Sequence, residues 1–377
     1  MLVVLISIWA VYMVLLTGVY FTWRTLSDEY DQTLTTGWPG VSVVIAMRNE
    51  AHNLSALLKS LEAQDYPRQH LEVIAVNDHS QDQTAALLES YGQQYSGNFK
   101  FVNLTDPPDF RGSFKKRALT EGIGRATNPI IVTTDADCTF HSHWLSTVVG
   151  YMAREKAAMV CAPVALTERQ QGIQALGEIE QAALVAVGAG FMKWGYPNMC
   201  NGANLAFTKA AFHEVGGYQG FHEVVSGDDE FLLYKIFQKY PSGVRFLKHT
   251  EAVVGTQAPA NWQQLFHQRK RWGGKWKHHR SPVTKGLALF IFLFHISWLI
   301  SAIITLMGNY PWMLWLSEFV IKLVLEYLVV SSVLSLAGKR PSWVWFLVGQ
   351  FVYSWYVLFF GVASNWGGFV WKNREYS

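Results

Sequence analysis

The chain has 377 residues, of which 50% are apolar and 16% charged, with a formal net charge of +3. That length accommodates one large catalytic domain plus a handful of membrane spans and is short for two independent enzymes. The small net charge gives no general reason to expect a nucleic-acid partner, and a mean hydropathy of +0.11 marks the chain as more apolar than a typical soluble protein.

The N-terminus takes part of that excess. No residue from 1 to 22 is charged, and the run is long enough to cross the roughly 30 Å hydrocarbon layer as a helix before Arg24 closes it. A cleaved signal peptide wants a basic region ahead of a shorter apolar core and a small-x-small site behind it. Neither is clear, so a retained anchor over 1–24 is expected.

Alternating strands and helices follow. Val41-Ser42-Val43-Val44-Ile45-Ala46 is a β-branched run, and after Asn49 come Leu54, Leu57, Leu58 and Leu61 at helical spacing. Leu71-Glu72-Val73-Ile74-Ala75-Val76 ends at Asn77-Asp78, and a helical run covers 84–91. Segments 99–104, 115–125 and 130–134 continue the pattern. It predicts an α/β domain with a largely parallel sheet, in which ligands bind beyond the carboxyl ends of the strands. The acidic clusters at or past such ends are Asn77-Asp78, Asp135-Ala136-Asp137 and, after an irregular glycine-rich region, Gly227-Asp228-Asp229-Glu230.

Each cluster has a chemical and a bland interpretation. In an extended segment residues i and i+2 share a face, so Asp135 and Asp137 suit a Mg²⁺ or Mn²⁺ shared with a diphosphate; Asp-x-Asp also makes ordinary turns. Asp78 can accept hydrogen bonds from a base or ribose, and Asn77-Asp78-His79-Ser80 equally suits a helix cap. Lys115 can meet a diphosphate as a point charge or lie on a solvated helix face. The adjacent carboxylates Asp228, Asp229 and Glu230 repel one another, which raises the pKa of at least one and suits a general base near neutral pH. An acidic first helical turn is the alternative. Gln268-Arg269-Lys270-Arg271-Trp272, between Trp262 and Phe266 and the cluster Lys275-Trp276-Lys277, suits an interfacial helix. It also suits a site that sets a guanidinium on a diphosphate and an indole on a sugar.

The remaining apolar residues concentrate in blocks 287–307, 312–336 and 343–362, separated by Gly308-Asn309-Tyr310-Pro311 and Gly338-Lys339-Arg340-Pro341. Glu318, Lys322 and Glu326 share one helical face of the middle block, a face that belongs against protein, water or headgroups. With Arg24 and the basic middle of the chain inside, the positive-inside rule puts the N-terminus outside and the loop at 338–340 inside. Crossings by all the C-terminal blocks then leave Lys372 and Arg374 outside, unless one block is re-entrant or interfacial. Cys138, Cys161 and Cys200 form neither an even framework nor a metal cluster and read as free thiols of a reducing cytoplasmic domain.

Val43-Val44-Ile45-Ala46-Met47-Arg48-Asn49-Glu50, Val76-Asn77-Asp78-His79-Ser80, Asp135-Ala136-Asp137, Asp228-Asp229 and Gln268-Arg269-Lys270-Arg271-Trp272 occur in the order seen in family 2 glycosyltransferases. The last block resembles the Gln-x-x-Arg-Trp motif of the membrane-bound members. Asn201-Gly202-Ala203-Asn204-Leu205-Ala206-Phe207 and Gly216-Gly217-Tyr218 resemble the acceptor-side region, so the likeness runs over 41–276. It implies an inverting enzyme with a GT-A fold, a Rossmann-like nucleotide-sugar-binding domain over 25–282. That domain lies between the N-terminal span (1–24) and a C-terminal transmembrane region (283–377). It further implies Glu50, Asp78, Lys115, Asp135, Gln268, Arg271 and Trp272 on the nucleotide-sugar, and Asp137 with Asp135 on a divalent metal, Mg²⁺ or Mn²⁺. Asp229 becomes the catalytic base, and Asp228, Gly202 and Trp272 face the acceptor.

This sequence departs from the family pattern at Asp228, where Glu is commoner, and at Met199-Cys200-Asn201-Gly202-Ala203, which stands in place of the Phe-Phe-Cys-Gly-Ser motif of cellulose synthases. The implied partners are a nucleotide-sugar, foremost a UDP-sugar, a lipid or glycan acceptor, and membrane lipids. The implied setting is the plasma membrane with the catalytic domain in the cytoplasm. A processive synthase of poly-N-acetylglucosamine or hyaluronan type is the competing enzyme, and a membrane scaffold with a degenerate domain is the competing non-enzyme.

Overall fold

The computed structural model describes residues 1–27, 37–95, 97–105, 112–167, 171–372 and 374–376. Helix α1 (Leu2–Thr25) precedes the alternating series β1 (Val41–Met47), α2 (Leu54–Glu62), β2 (Leu71–Asn77), α3 (Thr84–Gln94), β3 (Asn98–Asn103), α4 (Phe114–Arg125) and β4 (Ile130–Asp135). Then come β5 (Thr139–Phe140), α5 (Trp144–Arg154), β6 (Met159–Cys161), β7 (Val164–Leu166), α6 (Ile173–Lys193), β8 (Leu205–Thr208) and α7 (Lys209–Glu214). The chain continues through α8 (Asp228–Lys239), β9 (Val244–Phe246), β10 (Val254–Thr256) and α9 (Trp262–Gly273). It closes with α10 (Pro282–Leu306), α11 (Trp312–Leu336), α12 (Trp343–Ala363) and a hairpin of β11 (Phe369–Trp371) and β12 (Arg374–Tyr376).

Among the described residues the main sheet has seven strands, in the order β3-β2-β1-β4-β8-β6-β9. β1 pairs in parallel with β2 and β4, with Val41 opposite Leu71 and Ile130. β8 runs antiparallel to both of its neighbours, so the largely parallel expectation holds with one strand reversed. β1 and β2 are buried almost throughout, which is why they read as near-continuous apolar runs instead of alternating ones, broken inside by Ser42 and Glu72, which bond each other. α2, α3 and α5 pack an apolar core on one face of the sheet, and α4, α7 and α8 pack one on the other. α4 approaches closely: a Cβ at Gly122 would lie 2.5 Å from Val44 Cγ1. Its first turn is thereby brought to the carboxyl ends of β1, β2 and β4.

Among the described residues, five helices are long and apolar enough to cross a membrane: α1, α6, α10, α11 and α12. α6 was not anticipated, because Glu178 and Glu180 interrupt its apolar run. Large apolar side chains such as Val14, Leu289, Val320 and Phe351 are exposed on α1, α10, α11 and α12, a surface suited to lipid. The charged face of α11 is turned into protein. Lys322 Nζ lies 2.9 Å from Glu326 and 2.8 Å from Gln350, Tyr12 donates to Glu326 at 2.8 Å, and Tyr310 donates to Glu318 at 2.8 Å.

α12 begins and ends against the same α/β domain. Just before it, Lys339 Nζ meets Glu178 Oε1 at 2.8 Å and also bonds the Leu166 carbonyl. Just after it, Lys277 Nζ donates to the Asn365 carbonyl at 3.2 Å, and a Cβ at Gly273 would lie 2.7 Å from Ser364 Cβ. The hairpin that follows therefore sits on the α/β domain, which places Lys372 and Arg374 at the site described next.

Candidate active site

The carboxyl ends of β1, β2 and β4, the first turns of α4 and α8, and helices α6 and α9 enclose a cavity of about 940 Å³. Every residue that the sequence nominated lines it: Glu50, Asp78, Lys115, Asp135, Asp137, Gly202, Asp228, Asp229, Gln268, Arg271 and Trp272. The side chain of Trp276 lies outside the described residues, and Trp262 is exposed and away from the cavity.

At the strand ends, Asp135 closes β4 while Asp137 lies in the turn beyond it, so the pair shares the cavity without sharing an extended strand face. Thr256 Oγ1 of β10 donates to Asp137 Oδ2 at 3.2 Å. Burial, joined by the nearby charges of Asp135 and Glu50, pushes the Asp137 carboxyl up to about 6. A divalent cation relieves that crowding. Among the described residues no group of three or more His, Cys, Asp or Glu side chains stands ready as a metal cage. Two carboxylates are too few for a protein cage, so a cation at Asp135 and Asp137 would need further ligands such as phosphate and water, the usual habit of Mg²⁺.

Lys115 and Arg271 supply positive charge. Lys115 Nζ lies 2.8 Å from Asp135 Oδ1 and 3.1 Å from Asp228 Oδ2; burial opposes its charge, but Asp135 and Asp228 outweigh that and raise its pKa. The solvated-face alternative for Lys115 is excluded by this pairing. Arg271 is different: its Nε is buried without a hydrogen-bond partner, and burial lowers its pKa against the more distant Asp228, Asp135 and Asp229. A half-buried guanidinium with an idle N–H at a cavity wall is a ready anion site.

The acidic triplet does not follow a strand. It forms the first turn of α8, where Gly227 caps the helix at φ +76°. Burial drives Asp228 upward, but Lys115 and Lys116 outweigh it and the net shift is downward. Glu230 is raised by burial, aided by Asp229 and Asp228 against the paired Lys275. Asp229 Oδ2 accepts from the Gly202 amide at 3.1 Å and its Oδ1 from the Glu230 amide at 2.7 Å. A Cβ at Gly202 would stand 3.2 Å from Asp228 Oδ2 and 3.5 Å from Asp229 Cβ; glycine is what lets that loop approach the carboxylate pair. Lys116 holds the preceding loop through the carbonyls of Phe221, Val224 and Ser226.

α9 carries the Gln-x-x-Arg-Trp segment. Buried Arg269 bonds Glu180 of α6 and Tyr356 of α12, donates to Gln268 Oε1 at 2.7 Å and stacks on Trp272 with its Cζ 4.3 Å from the ring centroid. The intervening arginine thus fixes both neighbours that face the cavity.

Sequence reasoning missed the C-terminal hairpin. Arg374 grips both oxygens of Asp78 at 2.7 and 3.0 Å, Lys372 meets Glu50 at 2.7 Å, and Arg48 Nε donates to the Lys372 carbonyl at 3.0 Å. Arg271 faces Trp371 at 5.5 Å. The signal was the pair of cations that the charge rule could not place outside. Also missed were the α6 wall, with Gln181, Leu184, Val185 and Gly188, and His279.

Residues 42–216 match the family described as Glycosyl transferase family 2. The chain is 28% identical over 258 residues to the probable glycosyltransferase YdaM of Bacillus subtilis, covering 67% of this chain and 58% of that protein. It is 27% identical to a beta-monoglucosyldiacylglycerol synthase of Synechocystis over 63% of this chain and 48% of that one. The chain therefore spans about half the length of these curated relatives. In three dimensions it resembles the mannosyltransferase PcManGT from Pyrobaculum calidifontis, solved with GDP-Man and Mn²⁺, with a TM-score of 0.57, 18% identity and coverage of 96% and 97% of the two chains. Together with the ordered motifs, these findings show that the chain carries a glycosyl transferase family 2 domain, set in a GT-A-like fold.

Proposed function

We propose that the enzyme transfers a sugar from a nucleotide-sugar to a hydroxyl of a membrane-lipid acceptor, inverting the anomeric configuration, with Asp229 as base. The observation that carries this reading is that one cavity joins Asp135, Asp137, Lys115 and Arg271 to Asp229 and is walled by α6 and the first turn of α10, both apolar enough for a membrane. The lipid-glycosylating relative named above supports the acceptor class, and the metal-bound fold neighbour supports the donor class.

Asp229, held by the Gly202 and Glu230 amides, takes the proton from the acceptor hydroxyl as that oxygen attacks the anomeric carbon. Lys115 and Arg271 meet the negative charge that develops on the departing diphosphate. Asp135 and Asp137 would hold the divalent metal, which supplies Lewis-acid stabilisation of that same leaving group. Asp78 and Glu50 receive the nucleoside, and Arg374 and Lys372 share or yield those carboxylates when it enters. Gln268 and Trp272 line the space between donor and acceptor.

The catalytic domain occupies the cytoplasmic side in this reading, with α1, α10 and α11 crossing the membrane and α12 lying at its surface. A screen of UDP- and GDP-sugars with the purified enzyme in lipid vesicles, with Mn²⁺ or Mg²⁺ and with chelator, tests it. Metal-dependent nucleotide release with the sugar recovered in the organic phase is expected. A high-mass polymer would point instead to a processive synthase.

A further inference from the structure

Between α9 and α10 the chain makes a short turn (Gly274–His278) and reaches His279, which is 3% exposed and lines the cavity. Neither of its ring nitrogens has a hydrogen-bond partner. Nε2 stands 3.9 Å from Glu230 Oε2, too far for a hydrogen bond but a span that one oxygen atom can bridge with a bond to each side. The other oxygen of Glu230 is occupied by Lys275 at 2.7 Å, so Oε2 is the one turned toward the imidazole. Thr284 Oγ1, on the first turn of α10, lines the same cavity and is also buried without a partner.

Buried polar atoms without partners are rare and costly. These line one cavity where the chain enters a membrane-capable helix, and the charge of Asp229 reaches His279. Their chemistry is selective. Burial, reinforced by Lys275 and Lys285, pushes the His279 pKa down to about 4, so near neutral pH the ring offers one N–H donor and one acceptor. A neutral imidazole, a threonine hydroxyl and a carboxylate oxygen match hydroxyl groups, which both donate and accept. The carboxylate repels phosphate.

We propose that His279, Thr284 and Glu230 Oε2 form a polyol subsite that binds a hydroxyl of the acceptor headgroup other than the one attacked, and so orients the acceptor against Asp229. This rests on the acceptor reading given above. It makes His279 a specificity-determining residue for acceptors with more than one hydroxyl.

The test is equilibrium binding of two amphiphiles, 1-O-hexadecylglycerol and hexadecanol, to the full chain in phospholipid nanodiscs. Both carry the same alkyl chain, and only the glycerol ether has the additional hydroxyl. The wild type is expected to bind the glycerol ether on the order of tenfold more tightly, the scale of losing one well-made hydrogen bond. His279→Leu and Thr284→Val are each expected to reduce that preference, and His279→Gln, which keeps a donor and an acceptor, to restore part of it. Equal binding of the two amphiphiles by the wild type, or a preference unchanged in both His279→Leu and Thr284→Val, would overturn the subsite. So would loss of nucleotide binding in parallel, which would assign the pocket to the donor. Because binding is read without turnover, a failure of the transfer reaction would count against the proposed function and leave this result standing on its own.

Discussion

Gly202 shows how closely the loop packs against the proposed base. A methyl group there would press on Asp228 Oδ2 at 3.2 Å and on Asp229 Cβ at 3.5 Å, displacing the carboxylate that the Gly202 amide orients. Gly202→Ala is therefore expected to lower kcat by about ten- to a hundredfold, the scale of a small misplacement of a catalytic group. Thermal stability should stay close to wild type; a large fall in melting temperature with kcat per folded molecule unchanged would contradict it. His279 makes a second prediction, on pH. Its folded pKa of about 4 lies below the ordinary 6.5, so the unfolded chain binds a proton in that interval and the native chain does not. The groups facing it are Glu230 and Tyr234 of α8, Asp229, Lys275 and Lys285. Its contribution to stability is full above about pH 6.5 and is lost as pH falls toward 4. His279→Gln should flatten the melting temperature over that window; an identical slope in both proteins would refute the assignment.

At the scale of elements, α12 and the hairpin after it carry the sharpest expectations. If α12 lies at the surface, then in sealed vesicles Arg340→Cys and Trp366→Cys should react with an impermeant thiol reagent from the same side, and Asn309→Cys, in the α10–α11 turn, from the other. Labelling of 340 and 366 from opposite sides would mean that α12 crosses. The hairpin depends on its ion pairs. Arg374→Ala removes the bidentate grip on Asp78 and should speed hydrogen exchange at the Val370 amide, which donates to His267 at 3.2 Å. Unchanged exchange would show that packing alone holds the hairpin.

The same elements mark the limits of the sequence. β1, β2, β4, α2 and α4 were legible because burial on both faces of the sheet and amphipathic spacing leave strong periodic signatures. The candidate site was legible because its acids lie at strand ends or in ordered motifs. α6 was not, because an interior helix that bonds Arg269 through Glu180 and Lys339 through Glu178 does not look apolar. The block that became α12 was legible, but His279, the way both ends of α12 meet the α/β domain, and the Arg374–Asp78 pair, 296 residues apart, were not, since partners distant in sequence leave no local pattern.

For the whole molecule, the α/β domain, the membrane-capable helices and the hairpin converge on one cavity, and its two halves suggest a division of labour between donor and acceptor. In the proposed function Asp229 acts where donor and acceptor meet. The most direct test of that account is to compare wild-type enzyme with Asp229→Asn in vesicles, measuring sugar transferred to the organic phase alongside nucleotide-sugar binding. Asn keeps the size and hydrogen-bonding shape of the side chain but cannot take a proton. The account predicts that transfer falls by about a thousandfold or more while the donor dissociation constant changes by less than about threefold. Transfer at the wild-type rate in Asp229→Asn would contradict it.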